Sequence, residues 1–480
     1  MSNFATPPSA ESSANTEALF AYQWTPQPAA SAWVDELVAI VLAELPWARE
    51  FADRLYHESG NRFRDLIDTV FLSEGDRRLN DALAVGWEHN GESGGFSIYD
   101  QPKGIFPTVA VARRAANVAV ELKVESVADF LAANGLTRMI DGRPLAPYRR
   151  AVVAVDWRAA VNVAERHGTR GYSSEGGPSA GDVLAVSESL RTRPRDFDDA
   201  TEGFAEAEHR IDAGIARIGR DFTCDLFFAA EREYWTGRNR AAQVQKARQD
   251  KLGIGWANHD HHTYRSSREC FAPLVRVWEK LGFFCRERFY AGLAAGWGAQ
   301  VMEHPVTRVI TFNDVDLSPG ELMGDFSHDG LVPNDKLATI GLWCGLHGES
   351  LLQAGMHHLE CVFDFEAQRE QLERNHEIRT MKPFTDFSHL RQAFTEGEKW
   401  RVSDKRIDIL LSKGLVTPPQ AEKFRAEGAI GSHLENLERN AGFKGFNQDG
   451  VSEIIAATDP RRQAEQNAFE TVKYETIGPR

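Results

Sequence analysis

The second half of the chain alternates strand-like segments with an amphipathic helix in a regular order. Residues 260–265 alternate and include β-branched and aromatic side chains, a pattern that predicts a strand. Leu274, Val275 and Trp278 share one face of a helix predicted over 271–280. Three further strands are predicted over 284–290, 298–303 and 308–312. This order predicts a βαβββ module.

A second module begins with a strand predicted over 357–363 and a helix predicted over 365–376. A helical insertion interrupts its later strands, with helices predicted over 405–411 and 419–427. Residues 433–440 are also predicted to be helical. The predicted fold class is therefore α+β, with paired βαβββ modules and helical insertions in the C-terminal half.

The N-terminal half gives a less specific pattern. Residues 1–30 are rich in Ser, Ala, Pro and Thr, and we predict a disordered tail. Residues 31–220 are predicted to form a mixed α/β domain of unknown role. It has no glycine-rich phosphate loop, and its isolated histidines are expected at surface or hydrogen-bonded positions. Its predicted elements include strands over 118–122 and 151–155 and a helix over 157–165, and its isolated histidines are His57, His89 and His167.

Composition narrows the functional classes. The 480 residues are 42% hydrophobic and carry a net charge of −15, which argues against nucleic acid and anionic membranes as partners. No apolar run is long enough to cross a bilayer, and the first residues lack the features of a secretory signal. The five cysteines form no CxxC pair, which favours a cytoplasmic location and a metal site built from His and carboxylate ligands.

Two histidine clusters each open one of the predicted modules. Because side chains alternate along a strand, His261 and His262 point to opposite faces, whereas His259 shares the parity of His261. His261 is therefore a candidate metal ligand, and His259 is the alternative, as a ligand or a supporting group. In the second cluster His358 is the candidate, and His357 is the alternative. A purely structural histidine-rich strand remains the competing interpretation.

Arg265 follows His261 by four residues and falls on the same strand face. A guanidinium at this position can hold a substrate carboxylate through two parallel hydrogen bonds. A salt bridge at a domain boundary is the alternative interpretation of Arg265.

Paired βαβββ modules that each open with a histidine resemble the vicinal oxygen chelate superfamily, which includes glyoxalases and extradiol dioxygenases. The sequence is more closely similar to the iron-dependent 2-oxoadipate dioxygenase/decarboxylases, or hydroxyglutarate synthases. Their Asp-His-x-Ala-Phe-Arg motif corresponds to residues 260–265, and their Asn-His motif corresponds to His357-His358. Thr263 and Tyr264 depart from the first motif, and His357 departs from the second. The resemblance covers about the last half of the chain.

This resemblance implies a metal-binding catalytic domain over 221–480 that holds Fe(2+) through His261, His358 and a glutamate. The best match in chain order for the glutamate is Glu475. The alternatives to Glu475 are Glu453, Glu303 and Glu360. The resemblance also implies that Arg265 is catalytic and that Arg265, His261 and His358 contact the substrate.

The implied reaction uses dioxygen to decarboxylate and hydroxylate a 2-oxo acid, converting 2-oxoadipate, or a close analogue, to 2-hydroxyglutarate and CO2. Two alternatives remain. A non-redox lyase or isomerase of glyoxalase type would favour Zn, Ni or Mn and would present two carboxylates with two histidines. A small-molecule binding protein on the same scaffold would need no metal.

Overall fold

A computed structural model describes residues 24–113, 118–292, 295–334, 336–447, 459 and 461. Within these ranges the chain forms one sheet of seven strands and one of nine, with thirteen α-helices. None of the helices in the described ranges has the length and apolar character needed to cross a membrane. Most of the predicted tail lies outside the description, and the first helix already begins at Pro28.

The first sheet and its helices occupy the chain up to residue 166. In chain order the elements are α1 (Pro28–Glu44), α2 (Pro46–Ser59), β1 (Ile67–Ser73), α3 (Arg77–Ala84), β2 (Glu88–Ser93), β3 (Phe96–Asp100), β4 (Thr108–Ala112), β5 (Val118–Lys123), α4 (Val127–Ala133), β6 (Tyr148–Val155) and β7 (Ala159–Arg166). The strand order is β2-β3-β4-β1-β5-β7-β6.

The first sheet also consists of two modules. β1 is parallel to β4, so β1, α3, β2, β3 and β4 form a complete βαβββ unit. β5 is parallel to β7, and β5, α4, β6 and β7 form a second unit that is one strand shorter. The two units meet where β1 and β5 pair antiparallel. The sequence predicts this region only as mixed α/β, and the module pair is a finding of the structure.

The strands predicted over 118–122 and 151–155 are confirmed as parts of β5 and β6. The helix predicted over 157–165 is wrong, because this segment is strand β7. Val161 and Val163 pack into the core beneath the helices. The residues between and after them point to the other face, and this alternation is the period of a strand.

Four helices follow the first sheet: α5 (Ala180–Arg191), α6 (Ala200–Ile218), α7 (Arg220–Thr236) and α8 (Arg240–Asp250). Buried residues of α5, α6 and α7, such as Leu190, Ile211 and Phe228, belong to one core with Trp278 of the second half. The helices before residue 220 therefore help to cover the second sheet. The boundary between the two domains stays a prediction.

The second sheet contains the two predicted modules. Its elements are β8 (His259–Arg265), α9 (Phe271–Leu281), β9 (Phe284–Tyr290), β10 (Trp297–Glu303), β11 (Ile310–Asp316), α10 (Thr339–His347), β12 (His358–Val362), α11 (Phe365–His376), β13 (Thr385–Phe387), β14 (Leu390–Phe394), β15 (Glu398–Trp400), α12 (Asp404–Ser412), α13 (Pro418–Glu427) and β16 (Ala429–Arg439). The strand order is β13-β14-β16-β12-β8-β11-β10-β9, and β15 also pairs with β16.

The topology of this sheet confirms the predicted fold class. β8 lies parallel to β11 and β12 lies parallel to β16, so each module closes on its own first strand. β8 and β12 then pair antiparallel at the centre. This is the paired-module topology of the vicinal oxygen chelate fold. The insertion predicted in the second module is confirmed as α12 and α13, but the helix predicted over 433–440 is wrong, because β16 occupies this stretch.

Candidate metal centre

Three adjacent strands of the second sheet bring four potential ligands to one place. His261 of β8 lies opposite Glu360 of β12, and Glu360 lies beside Glu435 of β16. His358 precedes Glu360 by two residues and therefore faces the same side of the sheet. Leu359, between them, packs into the helical core on the other side. All four polar side chains thus project from the face opposite to the one on which helices α7 and α9 pack.

The ligand atoms of these side chains converge. Nε2 of His261 and Nε2 of His358 each lie 2.7 Å from Oε1 of Glu360. Nε2 of His358 lies 3.6 Å from Oε2 of Glu435. One ligand atom from each of His261, Glu360 and Glu435 lies within 4.8 Å of the others. Imidazole nitrogens and carboxylate oxygens in this arrangement are the donors that zinc and iron(II) prefer.

A carboxylate behind the site orients His261. Nδ1–H of His261 donates to Oδ2 of Asp260 across 2.7 Å, which leaves Nε2 directed at the cluster. Asp260 is held in turn by Arg439, whose Nε and Nη2 atoms donate to its two oxygens across 2.9 and 3.1 Å. Metal-binding histidines usually donate their second N–H to such a carboxylate.

His358 is oriented in an equivalent way by a second imidazole. Its Nδ1 atom lies 2.5 Å from Nδ1 of His357. A proton on Nδ1 of His358 then donates to His357 and leaves Nε2 of His358 free as a ligand atom. His358 therefore faces the cluster, and its neighbour His357, the alternative ligand from the sequence, supports it from behind.

Burial keeps both imidazoles neutral. It lowers the pKa of His261 to about 4, although Asp260 opposes this shift. It lowers the pKa of His358 well below its ordinary value, and the positive charge of Arg265 acts in the same direction. A neutral imidazole has the free lone pair that a metal requires.

Neither Glu360 nor Glu435 pairs with a lysine or an arginine within 4.0 Å among the described residues. Burial raises the pKa of Glu360 well above its ordinary value, and the nearby Glu435 raises it further. Burial likewise raises the pKa of Glu435 to about 7. Thr263 donates to Oε1 of Glu360 and Gln392 donates to Oε1 of Glu435. Oε2 of Glu360 is buried without a hydrogen-bond partner in the described chain. A buried, unpartnered carboxylate oxygen beside two neutral imidazoles fits a divalent metal ion.

The sequence missed Glu435. Among its own candidates, Glu475 and Glu453 lie outside the described residues. Glu303 lies away from the cluster and pairs with Lys444 and Arg286. Glu360 lies within the cluster, on the same strand as His358. Glu435 was overlooked because its segment was interpreted as a helix, whereas it is a late strand of the kind on which the resemblance places the third ligand.

His259 does not share a face with His261, contrary to the parity expectation. The register between β8 and β12 shifts at Asp260, so that His261 lies opposite Glu360 while His259 lies opposite Cys361. The extra residue turns His259 to the helical side, where its ring packs 5.2 Å from the ring of His262. The sequence alternation did not reveal this irregularity.

Arg265 is buried on β8 beside Asp314 of β11. Its Nε atom is 3.7 Å from Oδ2 of Asp314 and has no hydrogen-bond acceptor in the described chain. Burial raises the pKa of Asp314 to about 7 despite the positive charge of Arg265. Asp314 also lines the cavity that contains His261. The guanidinium is therefore only loosely paired and lies near the cluster.

The cavity at the cluster is small, and six aromatic side chains contribute to its walls. It has a volume of about 40 Å³, enough for a water molecule or two. Phe446 closes it from the C-terminal side, with its ring 4.9 Å from the ring of His261 and 5.0 Å from that of Phe312. A substrate that contacts the cluster must therefore displace part of this wall. The aromatic lining consists of Phe289, Trp297, Phe312, Phe384, Phe394 and Phe446.

The first sheet repeats the framework of this site. The register between β1 and β5 shifts at Asp68, as the register between β8 and β12 shifts at Asp260. Asp68 pairs with Arg166 of β7 across 2.9 Å, as Asp260 pairs with Arg439 of β16. Glu121 of β5 occupies the position of Glu360 and bonds to the same arginine, Arg166, across 3.1 Å.

The metal donors are absent from this repeat. In the first sheet Thr69 lies opposite Glu121, as His261 lies opposite Glu360 in the second sheet. Asn162 lies beside Glu121, at the position that Glu435 takes beside Glu360. Ala119, two residues before Glu121, corresponds to His358. The first sheet thus contains a carboxylate at the position of Glu360 and an ion pair like that of Asp260 with Arg439. These corresponding positions carry no set of metal ligands.

Comparison with known proteins gives distant structural similarity only. No protein-family model matches the sequence, and no curated protein matches it significantly. A putative hydrolase from Shewanella frigidimarina has 13% identity and a TM-score of 0.30, over 46% of this chain and 97% of its own. Methylmalonyl-CoA epimerase from Mycobacterium tuberculosis has 12% identity and a TM-score of 0.22, over 38% of this chain and 88% of its own.

A fusion of a xylose isomerase-like TIM barrel with 4-hydroxyphenylpyruvate dioxygenase matches more of the chain. It has 10% identity and a TM-score of 0.26, over 83% of this chain and 53% of its own. Identities and TM-scores at this level do not identify an activity. The function has to be argued from the site itself.

Proposed function

We propose that the chain is an Fe(II)-dependent dioxygenase that decarboxylates and hydroxylates a 2-oxo acid, with His261, His358 and Glu435 as the metal ligands. The observation that carries this proposal is the convergence of two oriented, neutral imidazoles and a late-strand glutamate on one buried point. Two histidines and one carboxylate on one face of an iron ion are the ligand set of non-haem Fe(II) oxygenases. Bound iron supplies open positions for a 2-oxo carboxylate and for dioxygen.

The chain's own residues contribute binding and orientation. Asp260 and His357 hold the two imidazoles in the ligand orientation. The aromatic walls exclude water from the bound substrate. Arg265 offers its loosely paired guanidinium to a second carboxylate. This favours a dicarboxylic substrate, and by the sequence resemblance we propose 2-oxoadipate or a close analogue.

Glu360 supports a second candidate function. With Glu435 and the two histidines it makes a set of two carboxylates and two imidazoles. Such a set is typical of glyoxalase-type lyases and isomerases, which use Zn, Ni or Mn and consume no oxygen. Under this alternative Glu360 is a metal ligand and a base for proton transfer. Under the leading proposal Glu360 lies beside the iron and is not required to hold it.

Metal content and oxygen consumption distinguish these functions. Protein purified without oxygen is loaded with Fe(II), Zn, Ni or Mn, and oxygen uptake and CO2 release are measured with 2-oxoadipate. Uptake with Fe(II) alone, matched by CO2 release, supports the dioxygenase. Stoichiometric Zn, Ni or Mn without uptake under any condition favours the lyase or isomerase. If the protein binds none of these metals, both metal-dependent functions are contradicted, and a small-molecule binding protein without a metal is the remaining function.

A further inference from the structure

A second cavity lies between the first sheet and helix α7, apart from the metal cluster. Its volume is about 580 Å³, and it shares no lining residue with the small cavity at His261. The ends of β5 and β7, helix α7 and the turn over 306–309 line it. This volume lies in the range of cavities that bind metabolite-sized ligands.

The carboxylates that line this cavity already have cationic partners. Asp68 pairs with Arg166, and Asp225 pairs with His167 across 2.9 Å. Glu125 also lies close to a cation, since Lys246 is 3.4 Å away. The fourth carboxylate, Glu233, pairs with Arg191 outside the cavity.

Two cationic side chains in the lining form no ion pair with a carboxylate among the described residues. Lys123 and Arg232 have no carboxylate within 4.0 Å in the part of the chain that the structure describes. Arg232 is only 7% exposed. A poorly solvated charge without a partner is costly, so a cavity of this volume beside two such charges is best explained by an anionic ligand.

The nearest neighbours of these cations are imidazoles, which cannot neutralise them. Nζ of Lys123 lies 3.3 Å from Nε2 of His259, and Nη1 of Arg232 lies 3.2 Å from Nε2 of His262. Nδ1 of His259 and Nε of Arg232 are buried without hydrogen-bond partners in the described chain. This side of the cavity therefore offers unused donors and lacks an acceptor.

The rest of the lining includes an apolar wall. This wall is formed by Trp256, Leu226, Ala229, Val306 and Val309. We propose that this cavity binds a small organic anion, with a carboxylate or phosphate group against Lys123 and Arg232 and an apolar body against Trp256 and Leu226. The proposal does not depend on the metal centre, because no residue is shared by the two cavities.

The test is calorimetric titration of the full chain with matched probes: phenyl phosphate, 3-phenylpropionate, inorganic phosphate and the neutral 3-phenylpropanol. We expect at least one of the two aromatic anions to bind with a Kd below about 1 mM and the neutral alcohol not to bind. Binding of phenyl phosphate alone identifies a phosphate ester as the ligand class, and binding of 3-phenylpropionate alone identifies a carboxylate. Binding of inorganic phosphate as tightly as phenyl phosphate contradicts a role for the apolar wall.

Three variants locate the bound probe. Lys123→Met and Arg232→Met should each weaken binding at least about tenfold. Lys246→Met is the matched control, because Lys246 lines the same cavity but already pairs with Glu125 and Asp250. We expect it to change the Kd less than about threefold. Equal losses in all three variants, or no binding of any anion to the unmodified chain, overturn the proposal.

A stability measurement excludes a purely structural role for Lys123. If the lysine exists to bind an anion, Lys123→Met removes a half-buried charge that has no carboxylate partner, and it should raise the melting temperature of the ligand-free protein. A lower melting temperature together with unchanged probe binding contradicts the proposal. His261→Ala should leave probe binding unchanged, and loss of binding in this variant would move the probe to the metal centre.

Discussion

Oδ2 of Asp260 lies 2.7 Å from Nδ1 of His261, and this contact determines which nitrogen of the imidazole faces the cluster. The same carboxylate is fixed by Arg439 through two hydrogen bonds. Asp260 therefore positions a candidate metal ligand without touching the metal. Because the register of β8 shifts at Asp260, an aspartate and the following histidine both reach the face of the sheet that carries the cluster.

Asp260→Asn should weaken metal binding by about 10- to 100-fold, because an amide is a poorer acceptor for His261 and a poorer partner for Arg439. Competition with a metal-sensitive dye measures the affinity. Asp386→Asn is the control, since Asp386 is an exposed residue that pairs with Arg391 at the edge of the sheet. An unchanged affinity in Asp260→Asn, with folding intact by circular dichroism, would contradict the positioning role.

Glu435→Gln should abolish stoichiometric metal binding, because an amide oxygen does not replace a charged ligand in this set. Glu303→Gln is the control, since Glu303 pairs with Lys444 and Arg286 away from the cluster. Metal analysis of the two purified variants provides the measurement. If Glu435→Gln retains the metal and Glu303→Gln loses it, Glu435 is not the third ligand, and this ligand is one of the glutamates suggested by the sequence.

Glu360→Gln separates the two candidate functions. If iron is held by the other three residues, this variant should keep Fe(II) and part of its oxygen uptake, because Glu360 is then a neighbour of the metal. If Glu360 is a fourth ligand and a base, the variant should lose both metal affinity and proton exchange at a substrate carbon. Metal content and deuterium exchange measured on one preparation give the answer.

The sequence was sufficient for the module order because each element has a distinct period. Strand β8 and helix α9 follow one another with clear strand and helix patterns, and the same holds for β12 and α11. The histidines that open the two modules were accordingly found. Because side chains alternate along a strand, adjacent histidines face opposite sides of the sheet. The structure places His358 at the cluster and His357 behind it, and the ligand role of His358 stays a prediction.

Strand β16 was not predictable in the same way. It is buried on both faces, so it lacks the alternation of hydrophobic and polar residues that marks a half-exposed strand. Leu434 and Leu437 are three residues apart and imitate a helix period. Glu435 lies between them and was overlooked for this reason. The pairing partners that identify the segment as a strand, β12 and β14, are distant in sequence.

The repeat in the first sheet was hidden for a related reason. Asp68 and Arg166 correspond to Asp260 and Arg439, but the intervening histidines are replaced by residues without a chemical signal, such as Thr69 and Ala119. Only the strand register reveals the correspondence. The repeat of the modules in the first sheet was therefore not detectable from the sequence.

Arg265→Met tests the substrate. If Arg265 binds the distal carboxylate of 2-oxoadipate, this variant should lower kcat/KM for 2-oxoadipate by on the order of 100-fold, as expected when one partner of a buried charge pair is removed. The matched substrate is 2-oxohexanoate, which has the same chain length and no distal carboxylate. Its kcat/KM should change less than about threefold. Equal losses for both substrates would mean that Arg265 supports the fold through Asp314 and does not select the substrate.

His167 predicts a pH-dependent stability that does not involve the metal. Its Nδ1 atom lies 2.9 Å from Oδ2 of Asp225 on α7, and its Nε2 atom lies 3.8 Å from Oε1 of Glu165 on β7. Burial alone would lower the pKa of His167, but these two carboxylates raise it to about 9. The protonated imidazole thus joins helix α7 to the first sheet.

Because the folded pKa of His167 exceeds the unfolded value of about 6.5, its contribution to stability is fully present below pH 6.5 and is lost as the pH rises through about 9. The size of this contribution is on the order of 3 kcal/mol. Urea unfolding at pH 6 and at pH 9.5 should show a loss of this size that is absent from His167→Gln. His89→Gln, at an exposed position, is the control and should retain the loss. A parallel decrease in the unmodified protein and in His167→Gln would assign the pH dependence to other groups.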